Sequence, residues 1–401
     1  MPFLTPSATL DELHPPRSVF APRSAMDRVQ WVHVDPFRLD TGTGVLIALM
    51  GDMPLICHEN TATPPILEFF RNAGLEPARL LSTYRDEVES VARAREHIAR
   101  GYRLAYIYPP PRELSADADL VVPVSLYGTL NDKASLDSYV GSEHLPVHRV
   151  FPVDCLDEAA SFLGGEAVFV KGCHAGASGA GADIRYCPDV ASRADALAWL
   201  QSRASELTGV RVERALDIPS CWCMNIAVVD TGVRYLGAAT QLFSSPGRQT
   251  GSRIDPDDLP PDAVIRLAMR IGECARQQGY RGVAGFDIGT TRGGDPYVFD
   301  LNFRLAASTA QILLHDAAVA RVGARVSCSF NELVHGPIEA ALARVAPFAR
   351  DGRFVPTRLY DATPLSGNYS VVTGFVVGGA IEAADRVERD LRASLGALLP
   401  G

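Results

Sequence analysis

Two short apolar runs in residues 282–304, joined by a Gly-rich turn, each carry one carboxylate: Asp287 in Gly285-Phe286-Asp287-Ile288 and Asp300 in Val298-Phe299-Asp300-Leu301. Asn302 and Arg304 follow Asp300 at every second position. In a strand, residues i, i+2 and i+4 share one face, so these three side chains point the same way. Burying a carboxylate without a partner is costly. Arg304 alone could neutralise one acid, whereas a cation shared by both accounts for the duplicated pattern. Oxygen ligands from adjacent strands suit Mg²⁺, and an arginine beside them suits a phosphate. The chemistry implied is that of a nucleoside triphosphate held through a metal.

Further upstream, the run Ala167-Val-Phe-Val-Lys171 leads into Gly172-Cys-His-Ala-Gly176-Ala-Ser178-Gly179-Ala-Gly181. Glycines let backbone N–H groups approach phosphate oxygens, and the lysine adds a compact charge. The stretch is not a P-loop, because the lysine precedes the glycines and no Gly-Lys-Ser/Thr closes it. It is also not a dinucleotide fingerprint at a first strand. Taken alone it could equally be a flexible hairpin turn. Lys133, after Asn131-Asp132, would by itself be a surface lysine. Glu213, in an alternating strand, would be a solvated edge acid, and His174 a loop surface residue.

These residues need elements to hold them. Val45–Met50, Leu104–Tyr108 and Leu120–Val124 read as strands. Pro65–Ala73 and Tyr84–Arg100 read as helices, so the first part of the chain is an open α/β layer. A small α+β unit follows: helix Leu156–Leu163, strand 167–171, the glycine stretch, strand Asp183–Tyr186 and helix Ala191–Thr208. The pattern then becomes strand-rich at Val210–Ala215, Cys221–Val229 and Val233–Gln241. A polar loop at Ser244–Asp262 comes next, of a length that is usually functional or mobile. Helix Ala263–Gln278 leads to the two acids. Helices at Ser308–Arg321 and Asn331–Val345, a hairpin at Val371–Gly379 and a helix at Glu382–Leu398 complete the chain.

The bulk numbers bound the function. The 401 residues suit two or three packed units. With 47% hydrophobic and 21% charged residues, the chain is neither disordered nor fibrous. A net charge of −9 without a basic block argues against nucleic acid as a partner. No apolar run is long enough to span a bilayer, and the N-terminus lacks a signal-peptide pattern. The eight cysteines form no zinc framework, and Cys221-x-Cys223 has no matching second pair. Free thiols in a reducing cytoplasm are the expectation.

The order of the elements matters more than any one of them. A lysine, a strand lysine with a Gly-rich loop, a strand glutamate, then Asp287 and Asp300-x-Asn302-x-Arg304: from about Asn131 to Thr309 this resembles the ATP-grasp superfamily. The resemblance implies an α/β fold with an α+β lid. A Rossmann-like pre-grasp domain would occupy 1–128, the lid 129–215, a central subdomain with the metal site 216–330, and a small C-terminal extension 331–401. It implies that Lys133 and Lys171 contact the phosphates, and that Gly176, Ser178, Gly179 and Gly181 form the loop closing over them. Glu213, Arg214, Ala215 and Leu216 would be the hinge that binds adenine. Asp287, Asp300 and Asn302 would hold Mg²⁺ or Mn²⁺, and Arg304 would steady the transferring phosphoryl group or acyl-phosphate. Both acids are Asp where Glu is frequent in the superfamily.

The chemistry so implied is activation of a carboxylate by ATP as an acyl-phosphate, then displacement of phosphate by an amine. Positioning and charge neutralisation carry such a reaction. Domain order and the tail Thr373-Gly-Phe-Val-Val-Gly378-Gly loosely resemble peptide ligases of the pheganomycin biosynthetic type. That implies amino acids or a peptide as substrates. Arg248 and Arg253, in the polar loop, are candidates to bind a substrate carboxylate, with solvated loop arginines as the alternative. The competing readings are a biotin-carboxylase-like, bicarbonate-activating enzyme and a catalytically silent nucleotide-binding protein. Small molecules are the expected partners, without nucleic acid or membrane. A homodimer is the default for a soluble enzyme.

Overall fold

In the computed structural model, residues 3–32, 36–176, 178–179 and 181–400 are described. Three sheets organise them. The first is parallel, in the order β3-β2-β1-β4, and is built from β1 (Ser18–Phe20), β2 (Leu55–His58), β3 (Leu81–Tyr84) and β4 (Arg103–Ala105). Helices Pro64–Asn72 and Glu87–Ala99 make the parallel connections, as parallel pairing requires. Asp86 caps the second helix, its side chain accepting from Glu89 N at 2.9 Å.

The second sheet is antiparallel, in the order β5-β8-β6-β7: β5 (His148–Phe151), β6 (Val168–Cys173), β7 (Ile184–Cys187) and β8 (Gly209–Arg214). Helix Val190–Gln201 covers one face. The core there is separate from the rest of the molecule and includes Phe151, Val168, Val170, Leu200, Val210 and Val212. A sheet with its own core can move as a unit, which suits a lid.

The third sheet has eight strands in the order β13-β12-β9-β10-β11-β14-β16-β15. They are β9 (Ser220–Val229), β10 (Gly232–Ser245), β11 (Arg248–Ile254), β12 (Gly282–Thr290), β13 (Pro296–Asn302), β14 (Val326–His335), β15 (Phe354–Tyr360) and β16 (Tyr369–Gly378). Helix Asp262–Gln277 buries Val264, Leu267, Ala268 and Ile271 at helical spacing, in the same core as Ile226 and Val228 of β9.

Several expected elements differ. Val45–Met50 forms turns, because its apolar side chains are buried under the parallel sheet without a strand partner. Leu120–Val124 makes only one isolated bridge, Leu104 to Leu120. The first part of the polar loop Ser244–Asp262 is strand, at residues 244–245 and 248–254: β10 and β11 form a hairpin whose exposed tip is polar, which hides the period-2 signal. Residues 331–335 belong to β14 and not to a helix, and Val371–Gly379 is one strand, β16, paired on both sides. β14 runs across residue 330, and β14, β15 and β16 complete the central sheet. Residues 331–401 are therefore continuous with that sheet.

Candidate active site

A cleft of about 1050 Å³ is lined by residues of the second and third sheets and by the N-terminal segments 32–46 and 107–108. Its size is at the upper end of the roughly 300–1,000 Å³ typical of small-molecule sites. Both edge strands of the eight-stranded sheet reach it, β13 through Phe299, Asp300 and Asn302, and β15 through Arg358.

The acids sit where β12 and β13 pair. Asp287 and Asp300 are direct cross-strand partners, and a bulge follows between Asp287 and Ile288. Directly opposed like charges repel. Burial first, then the facing Asp300, pushes the Asp287 carboxyl up to about 7. Asn302 Nδ2 donates to Asp300 Oδ2 at 3.2 Å, and Arg304 Nη2 donates to Asn302 Oδ1 at 2.6 Å. The Asp300, Asn302, Arg304 row thus shares one face, as the spacing requires.

Two buried lysines meet this row. Lys133 Nζ lies 2.7 Å from Asp183 Oδ2 and 3.7 Å from Asp300 Oδ1. Burial opposes its charge, but Asp183 and Asp300 outweigh that and hold the lysine above its ordinary range. Lys171 Nζ on β6 contacts Glu213 Oε1 on β8 at 2.5 Å and donates to Phe299 O on β13 at 2.8 Å. The second bond ties the lid to the central sheet beside Asp300. Arg211 Nε donates to the other Glu213 oxygen at 3.0 Å. Glu213 is therefore no solvated edge acid, being 1% exposed and held by two cations.

The glycine loop rests on the cleft. Ser178 O accepts from Arg304 Nη2 at 3.0 Å, and Ser178 Oγ accepts from Lys133 Nζ at 3.4 Å. Gly179 N donates to Trp31 O at 3.3 Å. Gly181 has φ +67°, and a Cβ there would stand 2.9 Å from Gly247 O at the tip of the β10–β11 hairpin. A side chain at Gly179 would meet Tyr108 Oη at 2.9 Å. His174 is buried and not on the surface. It contacts Asp183 Oδ2 at 3.2 Å and stacks on Trp31 with ring centroids 5.0 Å apart.

Beyond Lys171 the cleft is lined by Phe169, Ile184, Leu216, Ile218 and Phe299, an apolar slot of the kind that takes a flat base.

Comparison with known proteins agrees with this geometry. The sequence model of the L-aspartate–L-methionine ligase N-terminal domain matches residues 9–128, and that of the L-aspartate–L-methionine ligase ATP-grasp domain matches 161–302. Together they cover well over half of the chain. The fold is similar to the ADP complex of PurK, N5-carboxyaminoimidazole ribonucleotide synthetase (TM-score 0.57, 15% identity, 87% of this chain and 93% of that one). It is also similar to a biotin carboxylase from Campylobacter jejuni (0.53, 14%, 90% and 87%) and an L-amino acid ligase from Bacillus licheniformis (0.51, 12%, 90% and 94%). The chain belongs to the ATP-grasp carboxylate–amine ligases. It uses ATP to form a C–N bond.

In this ATP-grasp ligase the expected site residues divide. Lys171, Ser178, Gly179, Gly181, Glu213, Leu216, Asp287, Asp300, Asn302 and Arg304 line the cleft. Lys133 reaches it through Asp183 and Asp300, and Gly176 lies beside the loop without lining it. Arg214 turns away to Glu166, 2.6 Å off, and Ala215 N donates to Ala167 O at 2.9 Å. Neither Arg248 nor Arg253 lines the cleft: Arg248 is exposed on the hairpin, and Arg253 faces Asp258 at 3.7 Å. Sequence reasoning missed Asp183, Gln241 and Arg358. Asp183 could have been found as the first acid after the glycines. Arg358 sits in an unremarkable strand, and no local signal marks it.

The donor set fits a hard divalent cation. Asp287 and Asp300 offer two carboxylates that repel without one, and Asn302 adds an amide oxygen, already oriented by Arg304. Among the described residues no group of three or more His, Cys, Asp or Glu side chains suited to a metal occurs, so this set rests on two carboxylates and one amide. All eight cysteines are free, and no helix among those described is long and apolar enough to cross a membrane.

Proposed function

We propose that this ligase joins two α-amino acids, L-aspartate and L-methionine, in a reducing cytoplasm, with Mg²⁺ or Mn²⁺ held by Asp287, Asp300 and Asn302. The opposed pair Asp287 and Asp300 is the observation that carries the phosphoryl-transfer half of this reading. The match to both domains of the L-aspartate–L-methionine ligase supports the choice of substrates.

A cation held by Asp287, Asp300 and Asn302 would neutralise charge on the triphosphate and offset the repulsion between the two facing acids. This chain's residues do the rest. Phe169, Ile184 and Leu216 enclose the base. Lys171 and Lys133 stand at the phosphates, each held in place by a buried acid. The glycine loop excludes water, its Ser178 carbonyl fixed by Arg304. A carboxylate oxygen of the first amino acid attacks the γ-phosphorus, and the bond from that phosphorus to the bridging oxygen of ADP breaks. The amine of the second attacks the acyl carbon and loses a proton, and the C–O bond to phosphate breaks. Arg304 faces the phosphoryl oxygens throughout, where charge develops.

Release of ADP and phosphate, measured with pairs of amino acids, tests the reading. Release that needs both aspartate and methionine, with one dipeptide formed per ADP, is the expected result. Release with bicarbonate and biotin in their place would overturn it.

A further inference from the structure

At the end of the cleft remote from the base slot lies Arg358 on β15. Asn331 of β14, Thr373 of β16 and Arg358 form one row across three neighbouring strands. Arg358 Nη2 donates to Asn331 Oδ1 and Thr373 Oγ1, both at 3.1 Å, while Thr373 Oγ1 donates to Asn331 Oδ1 at 2.7 Å. These partners are neutral. Among the described residues, no carboxylate makes an ion pair with Arg358, and its buried Nε has no hydrogen-bond partner. Burial and the facing Arg38, of helix Pro36–Thr41, push the guanidinium down to about 10. A half-buried arginine, disfavoured by its surroundings and opening onto a substrate cleft, is stabilised when an anion arrives. Its planar fork matches a carboxylate.

We infer that Arg358, faced by Arg38, binds the carboxylate of an amino-acid substrate that is not the one activated. This rests on the dipeptide-forming reading above and specifies where its selectivity resides. Two carboxylates have the required chemistry: the side-chain group of the activated amino acid and the α-carboxylate of the acceptor. Phosphates of ATP are excluded by place, since they belong beside Lys171 and Asp300. Arg358 is thus a specificity residue that touches substrate. Asn331 and Thr373 are positioning residues that hold its fork.

The test compares each amino acid with its carboxamide, asparagine against aspartate and methioninamide against methionine, in the wild type, Arg358→Gln and Arg358→Lys. ADP release is the readout. Arg358→Gln is expected to raise KM for one amino acid about 10- to 100-fold, the range set by a hydrogen bond to a charged group. KM for ATP should stay within about twofold, which also shows that the variant is folded, and Arg358→Lys should recover part of the loss. The preference for that acid over its amide should collapse in Arg358→Gln. Collapse at aspartate assigns the side-chain carboxylate, and collapse at methionine the acceptor's α-carboxylate. An undiminished preference at both in Arg358→Gln, with normal KM for ATP, overturns the inference. Failure of the dipeptide reading would appear differently, as a wild type that releases no ADP with any amino-acid pair.

Discussion

The two ends of the cleft handle buried charge in opposite ways. At the phosphate end, Lys133, Lys171 and Arg211 each face an acid within 4 Å, so these three cations are compensated before any ligand enters. At the far end, Arg358 is held by an asparagine and a threonine only. A compensated cluster is stable and fixed in shape, and it suits a nucleotide that arrives with its own cation. An uncompensated cation is a standing cost that a ligand relieves, and it makes the site selective for ligands that bring the missing charge.

The difference can be broken or sharpened by substitution. The largest effect is expected at the metal acids. Asp300→Asn should lower turnover by about 10³-fold or more, as loss of a transition-state electrostatic contact does, with the fold intact by circular dichroism. Wild-type protein treated with a chelator should lose turnover similarly and regain it with Mg²⁺. Near-normal turnover in Asp300→Asn would remove the metal assignment.

Stability should separate the ends by sign. Asp183→Asn takes the nearer acid from the buried Lys133 and leaves it only Asp300, 3.7 Å away. It should cost about 3–5 kcal/mol in chemical denaturation, the usual result of breaking a buried pair from one side. Arg358→Met removes a charge that no acid offsets, and Asn331 and Thr373 still bond to each other. Its stability should be unchanged or higher by about 1 kcal/mol. Equal losses in the two variants would erase the contrast.

The smallest effect is expected at the loop. Gly181→Ala places a Cβ at positive φ against Gly247 O. A left-handed conformation costs roughly 1–2 kcal/mol per non-glycine residue, so KM for ATP should rise about 10-fold with kcat little changed. An unaltered KM would mean that the loop contact seen here plays no part in holding the nucleotide.

The sequence was most legible where a short period coincided with charge. Asp287 and the Asp300, Asn302, Arg304 row could be placed on strand faces from spacing alone, and most helices were evident from their apolar faces. It was least legible where partners come from far along the chain. Val45–Met50 has a strand's composition but no neighbour to pair with, and the β10–β11 hairpin lacks an apolar face to mark it. Glu213 and Lys133 looked like surface residues because their counter-charges, Arg211 with Lys171 and Asp183, become visible only when the lid sheet folds. Arg358 carried no signal, since its meaning depends on the acids that are absent around it.

The eight-stranded sheet has one more consequence. Strands lie about 4.8 Å apart, so a flat sheet would hold its outer strands more than about 30 Å from each other. Here β13 and β15, the two outermost, border the same cleft. All eight strands contribute to its lining, so the cleft runs across the sheet from one edge to the other. The sheet acts as a caliper whose jaws are the cation-holding carboxylates on one lip and an anion-seeking arginine on the other. The jaws are joined by backbone hydrogen bonds and not by a hinge, so the length of molecule that fits between them is set by the sheet. A different side chain on the β15 lip would change which molecule is gripped and leave the chemistry on the opposite lip as it is.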